Sequence, residues 1–492
     1  MTEFLRMTSI RDTYEAVIGL EVHAQMLTKT KAYSNDINEY GARPNTNVSA
    51  ITLGHPGTLP KMNKKTIEFA IKLGVALNCE IATHQHFARK NYFYPDLPKG
   101  YQITQDTTPI CTGGFVNVKL ENGEVKHIGI TRIHMEEDAG KSIHDVDVYD
   151  TLVDLNRAGT PLLEIVTEPD LRSADEAYAY LTEIRQLVRY LDVCDGNMEE
   201  GSLRCDANIS VRKIGAPEFG TKVEVKNMNS IRNVHRAITH EIDRQIDVLE
   251  NGGSLSQETR SFDAVNGTTS SMRSKEAAND YRFFPEPDLA PLYVSKEQIE
   301  AVKREMPVLP KELFEKYTKE LGLSAYDATI LISSKAFAKY FEEVILQTSN
   351  TKSAANWMIG DVRSYLNQQG KDIEEFHLSP ASIAKLVNLI ESGKISNTAA
   401  SQRLFPEMLI FADVEPAELA NKLNLIQDSN EDSIKGFIQE VIKQHKSEVE
   451  RYKNGEKQLV GFFMGQLMKA SQGKADPKAA NKLMREMLEN AE

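Results

Sequence analysis

The sequence predicts an α+β fold in which a part with mixed strands and helices is followed by helices alone. Runs of alternating apolar and polar residues recur before about residue 295, and such a period of two is typical of strands with one buried face. Long helical patterns interrupt these runs without the regular alternation of a βαβ protein. Beyond residue 295 the strand signals fade and helical patterns continue. We therefore predict three domains, 1–295, 296–405 and 406–492.

The composition is that of a folded, acidic chain without a membrane segment. Of its 492 residues 41% are hydrophobic, and 58 basic against 71 acidic residues leave a net charge of −13. This balance argues against a protein that coats nucleic acid non-specifically. We find no apolar run that approaches the roughly 18 residues needed to span a bilayer, and no signal-peptide pattern. Four cysteines without a C-x-x-C pair argue against a disulfide scaffold or a cysteine zinc site, so we expect a cytoplasmic protein.

The first strand run, YEAVIGLEVHAQM, places Glu21 and His23 on one face and apolar residues on the other. In SLRCDANISVR, Asp206 likewise lies opposite the apolar residues, and in TKVEVKN, Glu224 stands between two valines. A carboxylate in an apolar strand costs free energy unless it is paired or liganded. Carboxylates with one imidazole are suitable ligands for Mg²⁺. These four residues are therefore candidate metal ligands, and solvated carboxylates on an exposed sheet face are the alternative.

Helical patterns with recognisable ends separate and follow the strands. NKKTIEFAIKLGVALN (63–78) and SADEAYAYLTEIRQLVRYL (173–191) interrupt the first part. In HLSPASIAKLVNLIESGKI, Ser379 is a predicted N-cap, Pro380 takes the first helical position and Gly393 ends the helix. The apolar stripe between these ends predicts a helix that packs through one face.

Loops rich in polar and aromatic residues carry further candidate contacts. LGHPGTLPKMN (53–63) and FARKNYFYPDLPKGYQITQ (87–105) are punctuated by Gly and Pro. The second favours stacking and anion contacts with a ligand, and a rigid packed loop is the alternative. In DLNRAGTPLLEIVTEPD (154–170), Arg157 is a candidate for holding a phosphate or carboxylate, and pairing with a nearby acid is the alternative. No Walker loop and no G-x-G-x-x-G precedes a helix, so a nucleotide would be held by a sheet-and-metal site.

The C-terminal part is basic, unlike the rest of the chain. Residues 435–485 hold eleven Lys and Arg against five Asp and Glu, a net charge of +6 that leaves −19 elsewhere. A basic helical segment on an acidic protein predicts a contact with an RNA backbone. A solvated, lysine-rich helix face is the alternative.

Together these motifs resemble the B-subunit family of aspartyl/glutamyl-tRNA amidotransferases, the GatB/GatE family. Many ordered motifs are far more specific than any single one, and a motif in the tail extends the resemblance to nearly the whole chain. The stretches that carry it are VIGLEVHAQM, LGHPGTLPKMN, RKNYFYPDLPKGYQI, HMEEDAGK, DLNRAGTPLLEIVTEPD, EGSLRCDANISVR, KVEVKNMNS, ETRSFD, YRFFPEPDL and GQLMKASQGKADPKAAN.

The resemblance implies an enzyme of translation that uses ATP and Mg²⁺. Family members phosphorylate the side-chain carboxylate of Glu-tRNA(Gln) or Asp-tRNA(Asn), and ammonia then displaces the phosphate to give Gln-tRNA(Gln) or Asn-tRNA(Asn). The ammonia arrives through a channel from a partner amidase (glutaminase), and a further small protein completes a heterotrimer. The implied fold is a cradle similar to glutamine synthetase and guanidino kinase catalytic domains, with a largely antiparallel sheet, followed by two all-α domains. The last of these, 406–492, is expected to contact tRNA.

The resemblance also implies roles for individual residues. Where the ammonia channel opens, Lys90 and Glu136 are the expected catalytic residues, and Glu137 is the alternative to Glu136 because neighbouring strand residues point to opposite faces. The metal site is expected to comprise Glu21, His23, Asp206 and Glu224. Contacts to ATP or the acyl phosphate are expected from Arg157, Lys141, Lys226 and Asn227.

One departure from the family changes the metal expectation. Some members carry cysteines just before the LGHPGTLP motif and bind zinc, whereas this chain has NVSAIT (47–52), so we expect no zinc. Two other functions stay open. A free-standing ligase of the glutamine synthetase type is disfavoured by the basic tail, and a non-enzymatic tRNA adaptor would not need carboxylates in apolar strands.

Overall fold

The computed structural model describes residues 10–144, 146–274, 281–427, 431–471, 475 and 477–490. The chain divides into two compact units, Met1–Pro310 and Lys311–Glu492. The first unit combines a large sheet with helices, and the described part of the second is almost entirely helical. The predicted α+β class is therefore confirmed, while the division into three domains at 295 and 405 stays a prediction.

The first unit contains the strands of the protein and four regular helices among its described residues. The strands are β1 (Tyr14–Gln25), β2 (Glu80–Ile81), β3 (His84–Gln85), β4 (Ala88–Asn91), β5 (Tyr101–Thr104), β6 (Cys111–Thr112), β7 (Phe115–Lys119), β8 (Val125–Glu137), β9 (Lys141–Ile143), β10 (Leu152–Asp154), β11 (Pro161–Thr167), β12 (Leu203–Lys213), β13 (Val223–Met228), β14 (Glu258–Asp263), β15 (Thr268–Ser274), β16 (Arg282–Pro285) and β17 (Leu292–Tyr293). The helices are α1 (Lys64–Ala76), α2 (Ala174–Tyr190), α3 (Ile231–Glu250) and α4 (Lys296–Arg304).

The main sheet runs in the order β15-β14-β13-β12-β1-β11-β8-β6-β2, with β7 also paired to β8. Its described strand pairs are antiparallel except for β13 with β14. The long strand β1 lies in the middle, and its register places Glu21 opposite Asp206 of β12. On its other side His23 stands opposite Glu164 of β11. The sheet order therefore brings polar residues from distant parts of the chain side by side.

The two faces of the main sheet differ in polarity, as the alternating sequence predicts. Val22 and Ala24 of β1 are fully buried and belong to the core of the first unit. Helices α2 and α3 pack against each other, and α3 also packs on β12. Burying this apolar face is the main source of stability. The opposite face carries the polar residues and is left open for a site.

The predicted helix ends agree with the observed ones. Asn63 and Ser173 cap α1 and α2 by accepting hydrogen bonds from backbone N–H groups two and three residues on. In the second unit, Ser379 caps a helix that begins at Pro380, and Gly393 follows its end with a φ of +71°. Side-chain oxygens and a left-handed glycine satisfy the backbone groups that a helix end leaves unpaired.

The second unit is built from short helices interrupted by wider π-helical turns. The helices are α5 (Pro310–Glu315), α6 (Ala325–Leu331), α7 (Lys335–Ile345), α8 (Thr351–Trp357), α9 (Arg363–Gln369), α10 (Pro380–Glu391), α11 (Asn397–Ala399), α12 (Phe405–Ile410), α13 (Pro416–Lys422), α14 (Glu431–Gln444), α15 (Lys446–Lys453), α16 (Val460–Ala470) and α17 (Pro477–Glu489). The last four surround an apolar cluster of their own, which includes Phe463 and Leu467. No helix in the described ranges has the length and apolar character to cross a membrane.

Candidate functional site

The polar face of the main sheet forms a cleft with two adjoining cavities of about 410 and 250 Å³. Three side chains, His23, Lys90 and Asp206, line both cavities. The floor consists of β1, β8, β11, β12 and β13, and the small sheet β16-β4-β5 contributes to the walls. Most of the lining residues are charged, which is typical of a site for an ionic ligand rather than an apolar one.

A first carboxylate triad, Glu21, Asp206 and Glu224, lies in the larger cavity. One oxygen of each lies within 4.8 Å of the others. Cross-strand neighbours also hold these carboxylates, because Asn208 Nδ2 donates to Glu21 Oε1 at 2.8 Å and Thr259 Oγ1 donates to Glu224 Oε2 at 2.8 Å. Three converging carboxylates form a set of hard oxygen ligands.

Lys226 provides the counter-charge of the first triad. Its Nζ lies 2.5 Å from Asp206 Oδ2 and 2.9 Å from Glu224 Oε1. Burial alone would lower the pKa of Lys226, but the two carboxylates outweigh it and raise that pKa. The position between these two carboxylates is therefore electrostatically favourable for a cation.

A second triad, His23, Glu136 and Glu164, lies beside the first and also has ligand atoms within 4.8 Å of one another. His23 Nε2 is 3.4 Å from Glu164 and 3.8 Å from Glu136. His134 joins this group, with Nε2 3.1 Å from Glu164 and 3.7 Å from Glu136. The register His23–Glu164–His134 across β1, β11 and β8 explains why these three side chains meet.

The second triad holds its charge by mutual neutralisation. Burial works against charge on His134, but Glu136 and Glu164 outweigh it and raise the pKa of His134 to about 9. The pKa of His23 is raised for the same reason. Burial would raise the pKa of Glu164, yet the two imidazoles outweigh it and hold that pKa well below its usual range. Buried charges of both signs thus stabilise each other.

An ion pair between Asp138 and Arg204 lines the smaller cavity. Buried Asp138 lies 2.9 Å from Nη2 of Arg204 and accepts a hydrogen bond from Gln25 at 2.9 Å. Burial raises the pKa of Asp138, but Arg204 and Arg157 outweigh it, and the pKa is lowered overall. This part of the smaller cavity is therefore lined by an ion pair.

The structure brings most of the predicted site residues together. The predicted metal ligands Glu21, Asp206 and Glu224 share one triad, whereas His23 belongs to the neighbouring one. Lys90 lies between the two cavities, with Nζ 4.6 Å from the centre of the Tyr281 ring. The predicted residues Glu136 and Lys226 also line the cleft.

Other predicted residues lie elsewhere. Glu137 faces away from Glu136 into a third cavity of about 210 Å³, where it pairs with Lys99. Arg157 donates to the backbone carbonyls of Ala139 and Gly140, and Lys141 is exposed on the ribbon of β9 and β10.

Asn227 is the last of these outlying residues. It is exposed, has a φ of +65° and donates to Ser261 Oγ at 2.8 Å. Arg157, Lys141 and Asn227 line neither cavity of the cleft. Their proposed contacts with ATP stay predictions.

His134 and Glu164 belong to the site but were not among the residues predicted for it. A signal for His134 was present, since in ITRIHMEE the residues Arg132, His134 and Glu136 recur at a period of two and so share one face. Glu164 stands in a nearly continuous apolar run, which hides which face it occupies. Only strand pairing shows that its carboxylate meets two histidines.

Comparisons with known proteins match both parts of the chain. Residues 16–300 match the family model described as GatB/GatE catalytic domain, and residues 339–488 match one described as GatB domain. All the candidate residues described above fall within the first of these matches.

Curated relatives match over almost their full length. A protein of Thermodesulfovibrio yellowstonii is 50% identical over 475 residues, covering 96% of this chain and 99% of the relative. One of Geobacter sulfurreducens is 50% identical over 479 residues, with 96% and 99% covered. One of Nostoc punctiforme is 49% identical over 491 residues, with 98% and 99% covered. All three are named as the B subunit of aspartyl/glutamyl-tRNA(Asn/Gln) amidotransferase.

Proposed function

The chain belongs to the GatB/GatE family, and on that premise we propose that it is the B subunit of a tRNA-dependent amidotransferase. In this proposal it uses ATP to phosphorylate the side-chain carboxylate of Glu-tRNA(Gln) or Asp-tRNA(Asn) and then replaces the phosphate by ammonia. The observation that carries the proposal is the cleft in which two triads of metal-ligating side chains lie side by side.

The two steps account for the need for ATP. A carboxylate oxygen of the substrate attacks the γ-phosphorus of ATP, an O–P bond forms and the bond to the leaving ADP breaks. Ammonia then attacks the acyl carbon, a C–N bond forms, inorganic phosphate leaves and the nitrogen loses a proton. The first attack brings an anionic carboxylate and anionic nucleotide phosphates into a cleft that is rich in carboxylates, and the second releases anionic phosphate there, so counter-charge is essential.

The residues of the cleft fit a Mg²⁺ cofactor. Glu21, Asp206 and Glu224 would hold it through hard oxygen ligands, and the Lys226 ammonium marks the same place as favourable for a cation. His23 belongs with Glu136 and Glu164 in a second set of possible ligands. Mg²⁺, when bound, would neutralise the charge of the nucleotide phosphates. We propose ATP and Mg²⁺ as cofactors and no zinc.

We propose that Lys90 and Glu136 handle ammonia. Both line the smaller cavity, and Glu136 is held beside two imidazoles in a buried position. A carboxylate at this place is a candidate acceptor for the proton of ammonium, which must be lost before nitrogen can attack. Glu137, the next residue at the end of β8, lines the third cavity together with Lys99. This cavity is the candidate route for ammonia from the partner amidase.

Binding of tRNA is proposed for the basic C-terminal segment. Eight of its Lys and Arg residues lie in helices α14 to α17 with described side chains, and most of these side chains are at least partly exposed. Lys474 lies outside the described residues. Exposed cations on adjacent helices suit contacts with an RNA backbone, which carry affinity but little sequence information. The proposed partners are the amidase (glutaminase) and the small third protein of a heterotrimer, with the misacylated tRNA(Gln) or tRNA(Asn).

Reconstitution tests the proposal. The chain is combined with the amidase, the small third protein, ATP, Mg²⁺, glutamine and either Glu-tRNA(Gln) or Asp-tRNA(Asn), and the amidated aminoacyl-tRNA is measured. We expect Glu224→Ala and His23→Ala to lower kcat at least about 100-fold, because both remove groups that hold charge at the reacting centre.

The matched control is Glu80→Ala, which removes an exposed carboxylate from the edge strand β2 of the same sheet. It should leave kcat within about two-fold of the wild type, since the residue lies outside the cleft. Full activity of both Glu224→Ala and His23→Ala would refute the assignment of the metal site. Tight tRNA binding by a complex that never turns over ATP would instead indicate a non-enzymatic adaptor.

A further inference from the structure

Two aromatic rings line the larger cavity, in surroundings that are otherwise ionic or hydrogen-bonding. Tyr281 and Phe283 belong to the wall formed by β16 and the residue before it. Among the described residues that line this cavity, Phe283 is the only one with a wholly apolar side chain. A site for phosphate and metal alone gives no reason for a phenylalanine ring at this place.

Both rings are open to the cavity. Tyr281 is 49% and Phe283 42% exposed. The ring centres of Tyr281 and Tyr92 are 5.6 Å apart in an edge-to-face arrangement, and the Lys90 ammonium lies 4.6 Å from the centre of the Tyr281 ring. Phe283 has no ring partner among the described residues. A single exposed aromatic residue needs no explanation. Two at positions i and i+2 that line the same cavity present aromatic surface to a charged cleft.

The backbone that carries Phe283 is held by strand pairing. Phe283 pairs in register with Lys90 of β4, and Asn91 Nδ2 donates to the carbonyl of Arg282 at 2.7 Å. Beyond the strand, Arg89 binds Glu286 through two hydrogen bonds of 2.7 and 3.0 Å. An exposed ring on a rigid strand loses little freedom when a ligand covers it, which favours binding.

We propose that Tyr281 and Phe283 form a stacking platform for one nucleobase of the substrates, an inference that rests on the proposed function. An exposed aromatic ring suits a base, and stacking on such a ring tolerates any base because each has a π face. The larger cavity continues from the platform to the first triad, so a base on the rings would have its phosphates near the proposed metal ligands. The base can come from ATP or from the 3′ end of the aminoacylated tRNA.

The test uses the reconstituted heterotrimer with the variants Phe283→Ala and Tyr281→Ala. The matched control is Phe284→Ala, because Phe284 is 47% exposed on the same strand, is the next residue along it and does not line the cavity. We expect each platform variant to raise one KM by roughly 5- to 150-fold, the range expected for loss of one base stack. A raised KM for ATP assigns the nucleotide base, and a raised KM for aminoacyl-tRNA assigns the 3′ end. Phe283→Tyr should restore the KM.

A direct readout does not depend on turnover. The only tryptophan of the chain is Trp357, which is buried in the second unit, so Phe283→Trp introduces a reporter at the platform. Addition of ATP or of aminoacyl-tRNA should quench the fluorescence of Phe283→Trp more strongly than that of the wild type.

Three results would separate the possible failures. Unchanged KM values for both substrates together with unquenched Phe283→Trp would overturn the platform. Loss of heterotrimer assembly in Phe283→Ala, with both KM values unchanged in the assembled fraction, would assign the rings to an interface with a partner protein and also overturn it. A wild-type complex without ATP-dependent amidation would refute the proposed function, and fluorescence quenching would still decide the platform.

Discussion

The two triads of the cleft lie side by side on one sheet but neutralise their charge in different ways. In the first triad the side chains of Asp206 and Glu224 are 18% and 22% exposed, and a single lysine, Lys226, bridges them. In the second triad those of Glu136 and Glu164 are 4% and 10% exposed.

The second triad contains no lysine or arginine, and its carboxylates are paired with the imidazoles of His23 and His134. The difference follows from burial. Water stabilises the partly exposed carboxylates, so one flexible cation is enough. Buried carboxylates lose that water and need partners in a fixed geometry. The first triad is therefore suited to exchange its lysine for another cation, while the second depends on its own imidazoles for counter-charge.

The largest test of this comparison is Glu164→Ala. The substitution leaves His23 and His134 facing only Glu136 in a buried place, and breaking a buried ion pair costs about 3 kcal/mol or more. We expect the free energy of opening of β8 and β11 to fall by about that amount. Hydrogen exchange of peptides from these strands, measured by mass spectrometry, reports it directly.

The matched control for this test is Glu164→Gln, which keeps the size of the side chain and one hydrogen-bond acceptor. Its loss should be clearly smaller than that of Glu164→Ala. Equal and small losses in both variants, below about 1 kcal/mol, would show that the histidine–carboxylate cluster contributes little to stability.

Lys31, a buried lysine in the cavity of Glu137, offers a contrast with Lys226. Lys31 lines the cavity of Glu137, is fully buried and donates to the carbonyl of Asn47 at 2.6 Å. Carboxylates there only partly offset burial, so the pKa of Lys31 is lowered from 10.5 to about 8, opposite to the shift of Lys226. This lysine is charged at neutral pH at a cost to the folded state.

The sign of that shift predicts a pH dependence. Below pH 8 Lys31 is charged in both states and the cost of burying the charge is fully present, whereas above pH 10.5 the residue is neutral in both and the cost is gone. The free energy of unfolding of the wild type should therefore rise relative to Lys31→Met by roughly 3 kcal/mol between these pH values. Urea unfolding followed by circular dichroism at both pH values measures the difference. A constant difference would show that Lys31 has an ordinary pKa.

The smallest expected effect is that of Glu224→Ala on stability. Lys226 retains Asp206 at 2.5 Å, and partly exposed ion pairs contribute less than about 1 kcal/mol. The free energy of opening of the variant, measured by the same hydrogen-exchange experiment, should therefore lie within about 1 kcal/mol of the wild-type value. Its activity is nevertheless expected to be lost. A loss of stability as large as that of Glu164→Ala would erase the distinction between the two triads.

The grouping of polar side chains in the cleft was predictable from the sequence where a single strand contains the polar residues and shows by its alternation which face they share. The period of two placed Glu21 with His23, and the apolar neighbours of Asp206 and Glu224 indicated that these carboxylates have partners. The same rule did not identify Glu164, because β11 is buried on both faces and shows no alternation. Arg157 illustrates a different limit: a cation before a glycine turn attracts interest, but its guanidinium binds the backbone carbonyls of Ala139 and Gly140.

Sequence alone determined the fold class, the faces of the strands, the ends of the main helices and the family, because these depend on local periodicity, on capping groups and on ordered motifs. Tertiary structure decided which residues meet. It divided the predicted metal ligands between two triads, added His134 and Glu164, and directed Glu137 away from Glu136 into another cavity. The physical reason is that alternation assigns a side chain to a face, whereas the order and register of strands distant in the chain select its neighbours on that face.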